Sequence, residues 1–258
     1  MISKTFRIVR VIVLASFALS SAAWAATCSN ASLSGTYGLL TSGTSVAGTP
    51  VTSLIQFMFD PTTATFTSVE ISSHDGVLTT TPRSGTYAVG SNCIGRTTVD
   101  QSLHVGFVVT STGFFNLNEG TGTTIEGFGV PQGSATCTNV GVKGSLGFEA
   151  TGLFVAGAPA TGPAAFIGEL KFSVNSSGDG VISGHMAGSE DGTILTFADE
   201  PVTGSDRVDK DCTGTATITL KGQPEMHFSF VVVDCGKELL AIETDADTVV
   251  SGTLVKGN

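Results

Sequence analysis

Tryptophan and tyrosine are nearly missing: the 258 residues hold one Trp and two Tyr, and only 13% are charged. A β-barrel of the outer membrane wears two girdles of these aromatic rings. Here the tryptophan is Trp24, near the N-terminus, which leaves Tyr37 and Tyr87, and the C-terminal Val255-Lys-Gly-Asn258 carries no aromatic residue. That argues against an outer-membrane barrel, and none is expected. Local catalytic signatures are missing as well. There is no G-x-S-x-G elbow, H-E-x-x-H, C-x-x-C, P-loop or dinucleotide fingerprint, so the common hydrolase, zinc-protease, thiol-redox and nucleotide chemistries have no sequence mark. A site assembled from distant strands would leave none and stays open.

Basic residues are scarce and unevenly placed. Lys4, Arg7 and Arg10 precede the apolar stretch from Val11 to Leu19 and the small-residue run ending Ala23-Trp24-Ala25-Ala26. This is the plan of a secretory signal peptide, with cleavage expected after Ala25 or Ala26. Its apolar run is too short for a permanent span, and Thr27 before Cys28 does not suit lipid attachment. Loss of three of the 12 basic residues leaves nine against 22 acidic ones. Such a surface repels nucleic acid and anionic lipid. The expectation is a secreted or periplasmic protein with no membrane span after cleavage and no nucleic-acid partner.

The chain contains 33 Gly and recurrent short runs of Thr, Ser and Val without long stretches of helix formers, which is strand and turn chemistry. It is also written twice. Cys28-Ser-Asn-Ala-Ser-Leu33-Ser-Gly35-Thr-Tyr37 returns as Cys137-Thr-Asn-Val-Gly-Val142-Lys-Gly144-Ser-Leu146. Phe57-Met-Phe59 returns as Leu170-Lys-Phe172, His74-Asp75-Gly76 as Glu190-Asp191-Gly192, and Asn92-Cys93-Ile-Gly95 as Asp211-Cys212-Thr-Gly214. His104-Val-Gly-Phe107 returns as His227-Phe-Ser-Phe230. The period is too long for a solenoid or propeller, so each copy should fold as a domain. The division reads as signal peptide 1–25, first module 28–131, linker 132–136 and second module 137–258.

Breakers such as Asp60-Pro61, Gly90-Ser-Asn92 and Ser111-Thr-Gly113 interrupt each module often enough for about eight strands. An all-β fold of two tandem antiparallel up-and-down barrels follows, since closure removes exposed edges; two β-sandwiches are the alternative. The openings Gly35-Thr-Tyr37 and Gly144-Ser-Leu146 resemble the first strand of calycin-like barrels such as lipocalins, and of allene oxide cyclase barrels. Ser34-Gly-Thr-Tyr37, Asp211-Cys-Thr-Gly-Thr215, Phe230-Val-Val-Val-Asp234 and Thr248-Val-Val-Ser-Gly-Thr253 together resemble an uncharacterised family of exported bacterial proteins, a likeness that implies no activity. Cys235 stands where that family's pattern has glycine.

All five cysteines follow the leader, as suits an oxidising compartment. A duplicated domain should duplicate its bond, pairing Cys28 with Cys93 and Cys137 with Cys212 and leaving Cys235 as a free thiol. Each such loop constrains the unfolded chain by about 4 kcal/mol in the chain-entropy account. Among groups able to do chemistry, His104 and His227 occupy equivalent strand positions and are candidate ligand-binding residues if their face lines an interior; a shared packing need is the plainer explanation. His74 and His185 read as solvated. Asp206, Asp209 and Asp211, then Glu243, Asp245 and Asp247, form acidic clusters that lack the glycine and distal glutamate of a calcium loop. They read as a solvated face, and neither metal nor cofactor is expected. Asn30-Ala-Ser32 and Asn175-Ser-Ser177 fit glycosylation sequons only in a eukaryotic setting.

These readings point to an exported non-enzymatic protein that binds a small apolar molecule or a surface partner through its β modules. A cyclase or isomerase working in a barrel cavity, and a structural or adhesive cell-surface role, are the rivals. A catalytic residue is not assigned.

Overall fold

The computed structural model describes residues 27–99, 103–118, 123–133, 137–158, 161–195 and 201–257. The candidate signal peptide, both candidate cleavage points and residues 134–136 of the expected linker lie outside them. Two closed antiparallel barrels stand in tandem. The first runs β1 (Gly35–Thr44), β2 (Pro50–Asp60), β3 (Thr65–His74), β4 (Val77–Val89), β5 (Ile94–Val99), β6 (Leu103–Val109), β7 (Phe114–Asn118) and β8 (Thr124–Pro131), each paired with the next and β8 back on β1. The second uses β9 (Gly144–Phe154), β10 (Gly162–Val174), β11 (Gly180–Glu190), β13 (Val202–Val208), β14 (Thr213–Leu220), β15 (Glu225–Val233), β16 (Glu238–Glu243) and β17 (Thr248–Lys256). A three-residue strand, β12 (Thr193–Leu195), hangs on β11 outside this ring.

The two barrels agree residue for residue in their ladders. Tyr37 faces Phe57 across β1 and β2, and Leu146 faces Leu170 across β9 and β10. Ser68 faces Arg83 as Gly184 faces Val202, Tyr87 faces Thr97 as Asp206 faces Ala216, and Asn116 faces Gly127 as Ala241 faces Gly252. The repeat therefore names, for each inward side chain on the ladders described in both barrels, its counterpart in the other.

One end of each barrel is closed by the same device. Cys28 is bonded to Cys93 and Cys137 to Cys212, with Cα atoms 4.9 Å apart in both. Asn30 Oδ1 accepts the Val89 amide at 2.8 Å, and Asn139 Oδ1 accepts the equivalent Val208 amide at 2.7 Å. Leu33 and Val142, each 1% exposed, cap the two interiors. Cys93 and Cys212 both have left-handed backbones, with φ of 64° and 71°. The Phe107 ring lies against Gly95 and the Phe230 ring against Gly214, leaving no room for a Cβ at either glycine. Those constraints explain why Cys-x-Asn, Cys-x-Gly and the later Phe recur in register.

The barrels also share a third apolar cluster that alternation alone does not reveal. Leu40 and Leu54, on the outer face of the first barrel, pack against Val231, Val233, Leu240 and Ile242 on the outer face of the second. The β15 and β16 strands are thus apolar on both sides: Phe230, Val232, Leu239 and Ala241 face their own core while the alternate residues face the neighbouring barrel. Around this seam Ser73 Oγ donates to the Thr248 carbonyl, the Asp247 amide to the Gly76 carbonyl at 3.1 Å, and the Cys235 amide to the Gln132 carbonyl at 3.1 Å.

Candidate functional site

Inside the first barrel, chemistry changes with depth. Next to the closed end lies a floor of aromatic rings: Tyr37, Phe57, Phe59, Phe66, Phe107 and Phe114, with neighbouring centroids 5.3 to 6.5 Å apart. Above them is a cavity of about 470 Å³, within the range of small-molecule sites. Its wall is polar. Glu70 on β3 accepts a 2.7 Å bond from Arg83 Nε on β4 and a 3.0 Å bond from Ser53 Oγ on β2. Thr41, Ser68 and Thr97 add hydroxyls to the lining, and Asn116 on β7 adds an amide whose Oδ1 is buried without a hydrogen-bond donor. The strand parity that aims Phe66 inward aims Glu70 inward as well, and Arg83 follows Tyr87 in the same way.

The second barrel has the same positions and none of this polarity. Opposite Thr41, Ser53, Glu70, Arg83, Thr97 and Asn116 stand Ala150, Phe166, Met186, Val202, Ala216 and Ala241, all six in or packed against its apolar core. The cavity in its core is about 60 Å³, and a second of about 270 Å³ lies at its mouth. Nearer the mouth, Glu243 is 4% exposed, and burial, followed by the charges of Asp245 and Glu190, pushes its carboxyl up to about 8.

The two candidate histidines lie elsewhere. His104 and His227 alternate with the inward residues Val105, Phe107, Phe228 and Phe230, so both are exposed on outer faces and line neither interior. His104 Nδ1 is 3.3 Å from Thr98 Oγ1, while His227 Nδ1 is 2.7 Å from Asp245 Oδ1 and its amide donates to Asp245 Oδ2 at 2.8 Å. His74 lines the rim of the first cavity and His185 an outer groove of the second barrel.

The acidic clusters are not one solvated face. Asp206 is 7% exposed, and its two carboxyl oxygens are buried without a partner. Desolvation raises it to about 6. Glu243 points inward, Asp245 outward to His227, and Asp247 offers its backbone amide to Gly76 across the seam while its carboxylate lies against Gly157. Their alternation in sequence ends with β16, because Asp245 and Asp247 belong to the following turn. Among the described residues no group of three His, Cys, Asp or Glu side chains is placed to hold a metal ion, and no helix is long and apolar enough to cross a membrane. Cys235 is exposed and unbonded, with φ of 56°. That left-handed backbone is the one glycine adopts most readily.

No protein-family model and no curated protein matches the chain. Two solved structures are similar. One is a protein of unknown function of the DUF3598 family from Nostoc punctiforme, 11% identical, covering 88% of this chain and 97% of its own, with a TM-score of 0.29. The other is a β-barrel-like protein of the DUF1849 domain of unknown function from Brucella abortus, 12% identical, covering 87% of this chain and 97% of its own, with a TM-score of 0.18. At these scores neither supports an argument about function, and neither provides a link to calycins or allene oxide cyclases.

Proposed function

We propose that this is an exported, non-enzymatic carrier that holds one small molecule in its first barrel, with the second serving as a filled structural partner. The observation that carries this reading is the divergence of two repeats built on one ladder: six inward positions are polar around a cavity of 470 Å³ that reaches from rim to core in one copy, whereas in the other they are apolar, the core space is 60 Å³ and only the mouth opens, to 270 Å³. A stabilising core alone would favour the second solution in both copies, since buried polar groups cost free energy unless partnered. The fitting ligand has an apolar, preferably aromatic, body for the phenylalanine floor and a hydrogen-bond donor for Asn116 Oδ1. Its remaining polar edge meets a wall already neutralised by the Glu70–Arg83 pair. Export through the N-terminal leader suits the two disulfides, which fit an oxidising periplasmic or extracellular setting.

The neutral amine N-phenyl-1-naphthylamine is a direct probe, because its fluorescence rises on entering an apolar site. Saturable binding of one molecule per chain is expected. Ser53→Phe, which installs the residue found at the equivalent position of the second barrel, should abolish it without loss of stability. Binding unchanged in that variant refutes the proposal. The cyclase or isomerase reading gains one observation, the Glu70 carboxylate facing the cavity. Incubation separates the two, since a carrier returns its ligand unaltered.

A further inference from the structure

We propose that the mouth of the second barrel is a separate binding site for a small organic ammonium ion. A cavity of about 270 Å³ opens there, lined on one side by Phe154, Phe166, Leu220 and Met226 and on the other by carboxyl groups. Those are Glu190 from β11, Glu225 from β15, Glu243 from β16 and Asp245 from the turn that follows. The lining contains no Lys, Arg or His among the described residues.

A ring of acids is common on a solvated rim; one buried acid without a partner is not. Glu243 is 4% exposed, lines both this mouth and the apolar interior beneath it, and receives no hydrogen bond or ion pair from any described residue. Burying a carboxyl group in this manner is costly without a donor or a cation. Asp245 and Glu225, by contrast, already face His227, at 2.7 and 4.0 Å, and so are held at the rim. An ammonium group with a compact apolar body satisfies both halves of the site: its N–H donors meet Glu243, and its body lies along Phe154, Phe166 and Met226. Bare divalent metal ions fit less well, because the described side chains are not grouped as a metal cage and half of the wall is hydrocarbon. The first repeat has His74 and Asn118 where the second has Glu190 and Glu243, so the site belongs to the second barrel alone and is independent of the cavity proposed for the carrier function.

Calorimetric titration at pH 7 with 2-phenylethylamine, and separately with its uncharged analogue 2-phenylethanol, tests the assignment in the wild-type protein. The amine is expected to bind once per chain and the alcohol at least about tenfold more weakly, as for a charge-assisted bond lost from a buried site. Glu243→Gln should weaken the amine by a similar factor, and Ser53→Phe should leave it unchanged. Because the Glu243 carboxyl is raised to about 8, amine entry at pH 7 should also expel a proton, seen as a heat that varies with the buffer's ionisation enthalpy. Equal affinity for amine and alcohol, displacement of the amine by calcium chloride, or loss of amine binding in Ser53→Phe overturns the proposal. So does undiminished binding in a folded Glu243→Gln protein.

Discussion

Asp206 occupies the position that Tyr87 holds in the first barrel. The tyrosine hydroxyl reaches the Asn30 and Leu33 carbonyls, at 3.1 and 2.9 Å, and ties the capping segment to the wall. The shorter aspartate reaches no partner, and both of its oxygens stay unsatisfied. Its folded-state value of about 6 lies above the ordinary 3.8, so the folded protein holds this proton more tightly than the unfolded chain. Stability from this group is therefore fully present below about pH 4 and declines as the pH rises through 6. Asp206→Asn should raise stability at pH 8 by about 1–3 kcal/mol and change it little at pH 4. Urea unfolding at the two pH values checks this, and an equal effect at both would contradict it. No local pattern in the sequence marked Asp206 as buried. The repeat sets Gly85-Thr-Tyr87 beside Gly204-Ser-Asp206, but the alternation with Gly204 and Val208 is weak and three neighbouring acids read as a solvated cluster.

Among the strands, the inward face was legible wherever large apolar residues alternate with polar ones. Val105, Phe107 and Val109 behave as alternation demands, with the last two buried, and the repeat located the closing cysteines because it carries the whole plug with it. Glu70 and Arg83 were legible in principle, as charged residues sharing the parity of Phe66 and Tyr87. Histidines drew attention instead, though His104 and His227 lie on the opposite parity. The glycine–phenylalanine pairs provide a test at this scale. A methyl group at Gly95 would meet the Phe107 ring and the Ala88 carbonyl, so Gly95→Ala should destabilise by about 1–3 kcal/mol. Gly214→Ala should cost the same in the other barrel. A neutral result at both sites, measured by thermal or urea unfolding, would show that the ring can move away.

In the whole molecule the two barrels are joined by an apolar seam, and here sequence reading fell short. Phe228-Ser-Phe-Val-Val-Val233 and Leu239-Leu-Ala-Ile242 break alternation, as strands buried on both faces do. The signal was present, but a single isolated barrel offers nothing to cover the second face. The seam predicts coupling. Leu240 belongs to the second barrel and is fully buried against the first, whereas both tyrosines lie in the first, so that tyrosine fluorescence of residues 26–258, which contain no Trp, reports on the first barrel. Leu240→Ala should lower stability by about 2–5 kcal/mol and shift the tyrosine-detected urea midpoint together with that seen by circular dichroism. A tyrosine midpoint that stays in place would mean that the barrels unfold independently.

The central claim is that duplication left the core of one barrel open for a ligand and the core of the other filled. A crystal structure of the protein grown with N-phenyl-1-naphthylamine tests it most directly. The account predicts density for the naphthyl ring over Phe57, Phe59 and Phe114, with the amine near Asn116, and no change between Phe230 and Leu239. Density confined to the outer surface, or lodged within the core of the second barrel, would contradict it.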